Sequence, residues 1–288
     1  MSERVNFKMK RKPDWLRVPY YNDQSISYLT EMLEEMNLNT VCVEANCPNR
    51  AECFSNKTAT FMILGTKCTR KCMFCNVRHG NPDPLDKDEP FRIASAVNKL
   101  CLKHVVITSV TRDDLSDGGS YHFARVIQAI RKTSPETVVE VLIPDLTDIA
   151  DIISESPEVI SHNIETVETL YSMVRHEADY DRSLSVIHNV KKQNASIRTK
   201  SGLMLGLGET RDEVLKTFDD LIKAGCDYLT IGQYLSPSKN HYPVREYVEP
   251  MVFSEYAEIA YKKGFIFVAS APLVRSSYHA EKAFNASK

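Results

Sequence analysis

The chain has 288 residues, 43% of them hydrophobic, and its 36 basic and 38 acidic side chains give a formal net charge of -2. This length is sufficient for one large domain with a substantial buried core. The near-neutral charge argues against a nucleic-acid-binding protein, and no stretch approaches the roughly 20 consecutive apolar residues that a membrane helix requires.

The N-terminal arm is basic and lacks the apolar core of a secretory signal. A solvated terminal segment is the simplest interpretation, although such an arm can also help dock an acidic protein partner. We therefore expect an intracellular protein located in the cytoplasm. The charged residues of the arm are Arg4, Lys8, Lys10, Arg11, Lys12 and Arg17.

Eight cysteines in a reducing compartment indicate metal binding or catalysis rather than disulfides. Six of them lie between Cys42 and Cys75. Cys101 and Cys226 stand apart in helix-like surroundings, and we expect both to be small buried hydrophobic residues.

The upstream trio is Cys42, Cys47 and Cys53. On an ideal helix these spacings would point the three thiols in different directions, so their convergence predicts a loop. Pro48 and Asn49 within the run also favour a loop. Three cysteines are one ligand short of a four-iron site. No other cysteine is well placed to supply the fourth, so an oxygen ligand from elsewhere in the chain is a reasonable inference.

The sequence CTRKCMFC places Cys68, Cys72 and Cys75 close enough for one loop to present three thiolates to a single metal centre. Three cysteines on a four-iron cluster leave one iron open to an exchangeable ligand. This pattern resembles the radical S-adenosylmethionine enzymes, in which the open iron binds the cofactor before its carbon–sulfur bond is cleaved. The main alternative is a zinc site of three cysteines completed by His79.

From about residue 60 the sequence alternates short β-branched runs with amphipathic stretches, the pattern of repeated βα units around a parallel sheet. Six such units predict a partial (β/α)6 barrel with N- and C-terminal extensions, and a doubly wound open sheet remains the alternative. The predicted strands are 61–67, 104–110, 137–145, 159–166, 197–208 and 228–235, with a further run at 265–272.

Two helices carry end signals. Thr210 and Glu213 have the spacing of a capping box at the start of helix 210–224, and Gly225 stands at its C-terminal cap. A second helix, 252–263, ends similarly at Gly264. The corresponding domain boundaries are an N-terminal extension over 1–58 with the upstream cysteines, the barrel over 59–250 and a C-terminal extension over 251–288.

Polar clusters follow the predicted strands, where the chemistry of parallel α/β folds collects. Asp113 and Asp114 follow the second strand and could be taken for a catalytic carboxylate pair. We interpret them as loop or helix-start residues, because radical hydrogen abstraction needs no general acid and base.

The chain resembles the lipoyl synthase family from KPDWL at 12–16 to VRSSYHA at 274–280. A lone CX3CX2C indicates only the superfamily, but the CX4CX5C trio together with RSSY is characteristic of this family. The other matching blocks are TSVTRDDLSDGG (108–119), HNIETV (162–167), KSGLMLGLGET (200–210) and IGQYLSPS (231–238).

The resemblance implies that Ser277 is the oxygen ligand of an auxiliary four-iron cluster on the upstream trio, with Arg275 and Ser276 beside it. It also implies that Phe74 packs near the adenine of S-adenosylmethionine. Further candidates for holding S-adenosylmethionine or the substrate are Thr108, Ser109, Asn163, Glu165, Arg175, Lys200 and Gln233. Strand-end polar residues can equally be hydrogen-bonding residues of a barrel rim.

By the same resemblance the activity is sulfur transfer in lipoate biosynthesis and protein lipoylation. Sulfur would enter at C6 and C8 of a protein-bound octanoyl-lysine, with the auxiliary cluster as donor and S-adenosylmethionine and two four-iron clusters as cofactors. Implied partners are an octanoylated lipoyl domain or glycine cleavage H protein, a reduced ferredoxin or flavodoxin, and an iron–sulfur carrier, with no nucleic acid or membrane. The rivals are another radical sulfur-inserting enzyme and a non-catalytic iron–sulfur electron carrier or sensor.

Overall fold

A computed structural model describes residues 11–18, 24–56 and 58–286 of the chain. Arg4, Lys8 and Lys10 of the basic arm lie outside these ranges. In the described part, no helix combines the length and the apolarity needed to cross a membrane.

The strands form a single eight-stranded sheet whose order follows the sequence. β1 pairs antiparallel with β2, and every later neighbour pair is parallel. This sequential order confirms the partial barrel and rules out the doubly wound alternative, in which the strand order reverses. The strands are β1 (Asn39–Thr40), β2 (Thr60–Ile63), β3 (His104–Ser109), β4 (Val138–Leu142), β5 (Val159–Ser161), β6 (Arg198–Leu205), β7 (Tyr228–Gln233) and β8 (Phe267–Ser270).

Helices connect the parallel strands, as expected for βα units. The predicted capping box is present, with the Thr210 side chain accepting from the Glu213 N–H, and Gly225 ends that helix with φ 89°. The helices are α1 (Gln24–Glu35), α2 (Val41–Glu44), α3 (Arg50–Ser55), α4 (Glu89–Lys99), α5 (Ser120–Thr133), α6 (Ala150–Ser154), α7 (Tyr171–Val174), α8 (Tyr180–Gln193), α9 (Arg211–Ala224), α10 (Pro250–Lys263) and α11 (Ala280–Asn285).

The further run predicted at 265–272 forms β8, so the sheet has seven parallel strands and part of segment 251–288 belongs to it. Cys226 is buried as expected, but Cys101 is exposed, and that prediction was wrong. Cys101 lies in a left-handed turn after α4, with φ 52°, which turns its side chain away from the core.

Apolar side chains fill the space between the sheet and its helices. Ile107 and Val141 on the sheet belong to the same buried cluster as Phe123 of α5. A second cluster joins Leu229 of β7 to Phe218 of α9. Each such side chain contributes about 1.5–3 kcal/mol when fully buried. This packing makes the sheet a rigid support for the loops at the C-terminal ends of its strands.

A buried ionic cluster lies in the interior of the sheet, on β3 to β6. Lys200 Nζ lies 2.9 Å from Glu140 Oε1, which also accepts a 3.0 Å hydrogen bond from Ser161 Oγ. His104 Nε2 lies 3.3 Å from the other carboxylate oxygen. Burial by itself raises the pKa of Glu140, but the Lys200 charge and the His104 contact lower it to about 2. The Lys200 ammonium group is therefore held in an ion pair with Glu140 in the interior of the fold.

Helix α11 packs against this region. Ala283 lies in an apolar cluster with Val159 and Tyr228, and the Phe284 ring meets the His104 ring edge-on at 6.4 Å between centroids. These contacts anchor the chain just beyond Ser277.

We predict that Lys200→Met destabilises the fold by about 3–5 kcal/mol, because it leaves the Glu140 carboxylate buried without its cation. The double variant Glu140→Leu with Lys200→Met should recover most of the loss, since apolar residues can replace a buried ion pair. Urea unfolding measures both. Lys216→Met is the control, because this lysine is 58% exposed and its pairs with Glu168 and Asp220 lie at the surface, where each is worth at most about 1 kcal/mol. A fully stable Lys200→Met variant that binds S-adenosylmethionine poorly would contradict this role.

Candidate metal centres

The first cysteine site begins where β2 ends. Leu64 has φ 69°, and Gly65 follows it with φ 96°. The buried Glu89 carboxylate accepts the Leu64 N–H at 3.0 Å, and Arg112 Nη1 donates to the Leu64 carbonyl at 3.0 Å. Both peptide groups of the turn are thus held by charged side chains, which fix the direction in which the chain leaves the sheet.

The cysteine loop, residues 68–75, is tied down at its first ligand candidate. The Cys68 N–H donates to the Arg78 carbonyl at 2.8 Å. The Cys68 sulfur accepts the N–H groups of Arg70 at 3.4 Å and Thr111 at 3.3 Å. Backbone N–H groups directed at a cysteine sulfur are among the determinants of iron–sulfur cluster potentials.

The other two thiols of the cysteine loop are, like Cys68, half-buried. Burial raises the pKa of Cys72 to about 11 and that of Cys75 to about 12. The loop is held from outside by His241, whose Nε2 donates to the Cys75 carbonyl at 3.1 Å, and by the Tyr242 N–H, which donates to the Met73 carbonyl at 2.7 Å. A metal that binds these cysteines must displace their protons.

The upstream segment, residues 41–55, contains two short helices, so the prediction of a loop was wrong in part. Cys42 lies in α2, Cys53 lies in α3, and Cys47 lies in the turn between them. The helices are only four and six residues long, and Asn46 breaks them with φ 48°. Because of this break, the three thiols can point in directions that one continuous helix would not allow. Burial raises the pKa of Cys53 to about 12.

The C-terminal loop, residues 271–279, is held between β7 and the upstream segment. Its Leu273 carbonyl accepts a 2.8 Å hydrogen bond from Asn49 Nδ2, and the Tyr278 hydroxyl donates to Glu52 at 2.8 Å. A Cβ at Gly232 of β7 would lie 2.1 Å from the Val274 carbonyl oxygen, so only glycine permits this approach. Ser277 is thereby brought beside cysteines more than 200 residues earlier in the chain.

One cavity of about 660 Å³ joins the two cysteine sites. Both trios and Ser277 line it, together with Arg275 and Ser276. Lys200 is absent from its lining, in agreement with its ion pair to Glu140. The other sequence candidates that line the cavity are Phe74, Thr108, Ser109, Asn163, Glu165, Arg175 and Gln233.

Three of these residues form a polar wall, consisting of Asn163, Glu165 and Arg175. Asn163 Nδ2 donates to Glu165 Oε1 at 3.1 Å, and Arg175 Nη1 donates to the Asn163 carbonyl at 3.1 Å. Burial raises the pKa of Glu165. Glu165 also has φ 65°, an uncommon conformation for a residue with a side chain.

Several residues that line the cavity carry buried polar atoms without a hydrogen-bond partner within the described ranges. They are Ser109 Oγ, His162 Nε2, Asn163 Oδ1 and Arg175 Nε. Buried polar groups are normally satisfied, so these atoms match a ligand that offers both donors and acceptors. An amine, a carboxylate and ribose hydroxyls supply that combination, and all three belong to S-adenosylmethionine.

Two further candidates carry structural roles. The Gln233 amide nitrogen donates to the carbonyls of Leu205, Tyr234 and Glu246, and its oxygen accepts the Val248 N–H. Its polar atoms are therefore engaged in holding the segment after β7. Thr108 Oγ1 donates across the sheet to the Leu142 carbonyl at 3.0 Å.

Asp113 and Asp114 lie in the loop between β3 and α5, and each pairs with an arginine. Asp113 receives two hydrogen bonds from Arg70, and Asp114 receives two from Arg112. Both carboxylates are thus engaged in structural ion pairs, as the loop interpretation expects.

The zinc alternative requires Cys68, Cys72, Cys75 and His79 to converge on one ion. Across the described ranges, no three histidine, cysteine or acidic side chains are placed to do so. His79 does not line the cavity that the three cysteines share. A four-iron cluster has no such requirement, because each thiolate binds a different iron. Both trios and Ser277 line one cavity, and this shared lining is the observation that favours clusters over a zinc ion.

Sequence reasoning missed four residues that organise the site. Asn49 and Tyr278 join the upstream segment to the C-terminal loop. Arg70 and Asp145 join the cysteine loop to the end of β4, with 2.5 Å between Nη1 and Oδ2. The one available signal was position within a motif, since Arg70 and Asn49 lie inside cysteine motifs and Tyr278 ends RSSY.

Comparison with known proteins agrees with this geometry. A family model described as the radical SAM superfamily matches residues 62–232. The fold is similar to that of methylornithine synthase, with a TM-score of 0.54 at 15% identity over 86% of this chain and 84% of that one. It is also similar to Streptococcus suis SuiB bound to S-adenosylmethionine, with a TM-score of 0.56 at 12% identity over 78% of this chain and 54% of that one.

Curated relatives are much closer in sequence. The lipoyl synthase of Caldicellulosiruptor saccharolyticus is 56% identical over 276 residues, covering 94% of this chain and 97% of that protein. The lipoyl synthase of Alkaliphilus metalliredigens is 53% identical over 279 residues, covering 96% of each. The chain therefore belongs to the lipoyl synthase family of radical S-adenosylmethionine enzymes, which insert sulfur and use S-adenosylmethionine and four-iron clusters as cofactors.

Proposed function

We propose that Cys68, Cys72 and Cys75 hold the cluster that binds S-adenosylmethionine. Their loop follows the first parallel strand, lies within the matched residues 62–232 and lines one cavity together with the polar wall. Asn163, Glu165 and Arg175 would then contact the cofactor, because their unsatisfied atoms and charges suit its amine, carboxylate and ribose. Ser109 and Phe74 line the same side, whereas Lys200 has no place in this assignment.

We assign the auxiliary cluster to Cys42, Cys47, Cys53 and Ser277. The hydrogen bonds from Asn49 to Leu273 and from Tyr278 to Glu52 support it, because they hold the serine-bearing loop against the upstream segment. Arg275 lies beside this group, where burial lowers its pKa and the neighbouring Cys47 counters that effect. A cation here would offset the negative charge of thiolate ligands.

The function that this site supports best is the conversion of a protein-bound octanoyl-lysine into a lipoyl group. When bound, S-adenosylmethionine and the clusters supply the radical that opens unactivated C–H bonds at C6 and C8, together with the sulfur that replaces the hydrogen. The observation that carries this proposal is the single cavity lined by both cysteine trios and Ser277.

The protein itself would bind and orient the acyl chain. Apolar side chains also line the cavity, and an eight-carbon chain matches such a surface in chemistry. They include Val41, Met62, Val77, Val110, Ile143 and Leu203. Burial in this cavity would also keep water away from a reactive carbon radical.

We infer that the acyl chain is delivered on an octanoylated lipoyl domain or a glycine cleavage H protein. A reduced ferredoxin or flavodoxin would supply electrons, and an iron–sulfur carrier would rebuild the consumed cluster. The free state of all eight cysteines fits a location in the cytoplasm.

The function is tested by mass spectrometry of an octanoyl-lysyl peptide, incubated anaerobically with reconstituted protein, S-adenosylmethionine and a strong reductant. We expect a gain of two sulfur atoms together with formation of 5'-deoxyadenosine. Cys72→Ala should lose both products, because it removes a ligand of the radical-generating cluster. Cys47→Ala should keep 5'-deoxyadenosine formation and reduce sulfur insertion to background. Formation of 5'-deoxyadenosine by the intact protein without any change in the peptide would refute the substrate assignment.

Ser277→Cys should keep the iron content of the protein and slow sulfur insertion by roughly 10-fold or more. A 10-fold slower rate corresponds to an activation barrier higher by about 1.4 kcal/mol. We expect dissociation from iron to cost a cysteine thiolate at least this much more free energy than it costs the serine oxygen. Iron analysis and single-turnover kinetics measure the two quantities, with Ser277→Ala as the comparison that removes the ligand altogether. Unchanged turnover in Ser277→Cys would show that the oxygen ligand is not needed.

A further inference from the structure

Asp145 lies just beyond β4, and its side chain is fully buried although the residue lines the cysteine cavity. One carboxylate oxygen lies 2.5 Å from Arg70 Nη1. The other accepts a 3.0 Å hydrogen bond from Ser183 Oγ, and lies 2.9 Å from His162 Nε2 and 3.6 Å from Arg175 Nη2. One carboxylate thus contacts groups from four separate parts of the chain.

Arg70 connects this carboxylate to the cysteine loop. It is one of the three residues between Cys68 and Cys72, and its N–H donates to the Cys68 sulfur at 3.4 Å. Its guanidinium also donates two hydrogen bonds to the Asp113 carboxylate, from Nε at 2.9 Å and from Nη2 at 2.8 Å. The two carboxylate partners differ in burial, since the Asp113 side chain is 49% exposed and that of Asp145 is 0% exposed.

His162 and Arg175 connect the same carboxylate to the polar wall. His162 immediately precedes Asn163, and its Nδ1 lies 2.9 Å from the Ile143 carbonyl oxygen. Arg175 contacts the Asn163 carbonyl through Nη1 and lies near Asp145 through Nη2. Asp145 is therefore linked to the polar wall through both His162 and Arg175, and we expect the positions of the wall residues to depend on it.

The charges around Asp145 favour its ionised form. Burial by itself raises its pKa, but the His162 contact and the charges of Arg175 and Arg70 hold that pKa well below its usual range. A buried carboxylate with several cationic neighbours orients each of them, because charge-assisted contacts are stronger and more directional than neutral ones.

We propose that Asp145 is a positioning residue, which holds the cysteine loop and the polar wall at a fixed separation so that S-adenosylmethionine can bridge them. It touches neither cofactor nor substrate in this role and acts through Arg70 and Arg175. The proposal rests on the assignment of Cys68, Cys72 and Cys75 to the cluster that binds S-adenosylmethionine. It does not depend on which acyl substrate the enzyme uses.

The test compares Asp145→Asn with Asp113→Asn, which removes the other carboxylate partner of Arg70. Asp113 contacts the same arginine but does not line the cavity that contains the cysteines, so it is a matched control. We expect Asp145→Asn to keep the iron content of the protein and to weaken S-adenosylmethionine binding at least 10-fold, about 1.4 kcal/mol. The electron paramagnetic resonance signal of the reduced cluster should then need correspondingly more S-adenosylmethionine to change. Asp113→Asn should stay within about twofold of the parent protein, as expected of a half-exposed pair.

A double-mutant cycle with Arg70→Gln separates positioning from general damage. If Asp145 acts through Arg70, the losses of S-adenosylmethionine affinity in the two single variants will not add in the double variant. Equal affinities for Asp145→Asn and Asp113→Asn, or fully additive losses, would overturn the proposal. Should Asp145→Asn fail to fold, the test relies on Arg70→Gln alone. If Arg70→Gln binds S-adenosylmethionine as tightly as the parent protein does, the positioning role of Asp145 is refuted.

These readouts also separate the proposal from the proposed function. If the octanoyl peptide gains no sulfur while the affinities behave as stated, the substrate assignment fails and the positioning role stands. If the affinities are unaffected while sulfur insertion proceeds, the positioning role fails alone.

Discussion

The site depends on the close approach of the C-terminal loop to the end of β7. The Val274 carbonyl lies where a side chain at residue 232 would be, so the glycine at this position admits the loop into the cavity. Asn49 and Tyr278 then hold that loop against the upstream segment, while α11 anchors it on the far side. The proposed serine ligand is thus positioned by contacts that lie on both sides of it in the sequence.

This arrangement suits a reaction in which a radical source and a sulfur source must face the same carbon chain. The cysteine loop, the polar wall, the upstream trio and the serine all line one cavity, and apolar side chains line it with them. A site built this way can hold an acyl chain within reach of both centres, which a simple electron carrier does not need.

Much of the fold could be predicted from local signals. The seven parallel strands follow from β-branched runs, and the ends of α9 follow from Thr210, Glu213 and Gly225. The loop predicted over the upstream cysteines was wrong in part, because two helices as short as α2 and α3 give little periodic signal. The exposure of Cys101 depends on one left-handed residue, which composition does not reveal.

The ligand candidates could be found from cysteine spacing and family resemblance, but the residues that position them could not. Lys200 and Asp145 show why, because each role depends on a partner distant in the chain, Glu140 for the lysine and Arg70 for the aspartate. Both are ordinary polar residues near strands in the sequence. Only the three-dimensional register of neighbouring strands shows that the lysine stays within the fold and that the aspartate faces the cavity.

The most direct test of the central claim is a crystal structure of the anaerobically reconstituted protein with S-adenosylmethionine, with diffraction data recorded at the iron absorption edge. We expect two four-iron clusters in one cavity. One should be bound by Cys68, Cys72 and Cys75 and face S-adenosylmethionine, and the other should be bound by Cys42, Cys47, Cys53 and Ser277. A single cluster, or an auxiliary cluster whose fourth ligand is not Ser277, would contradict it.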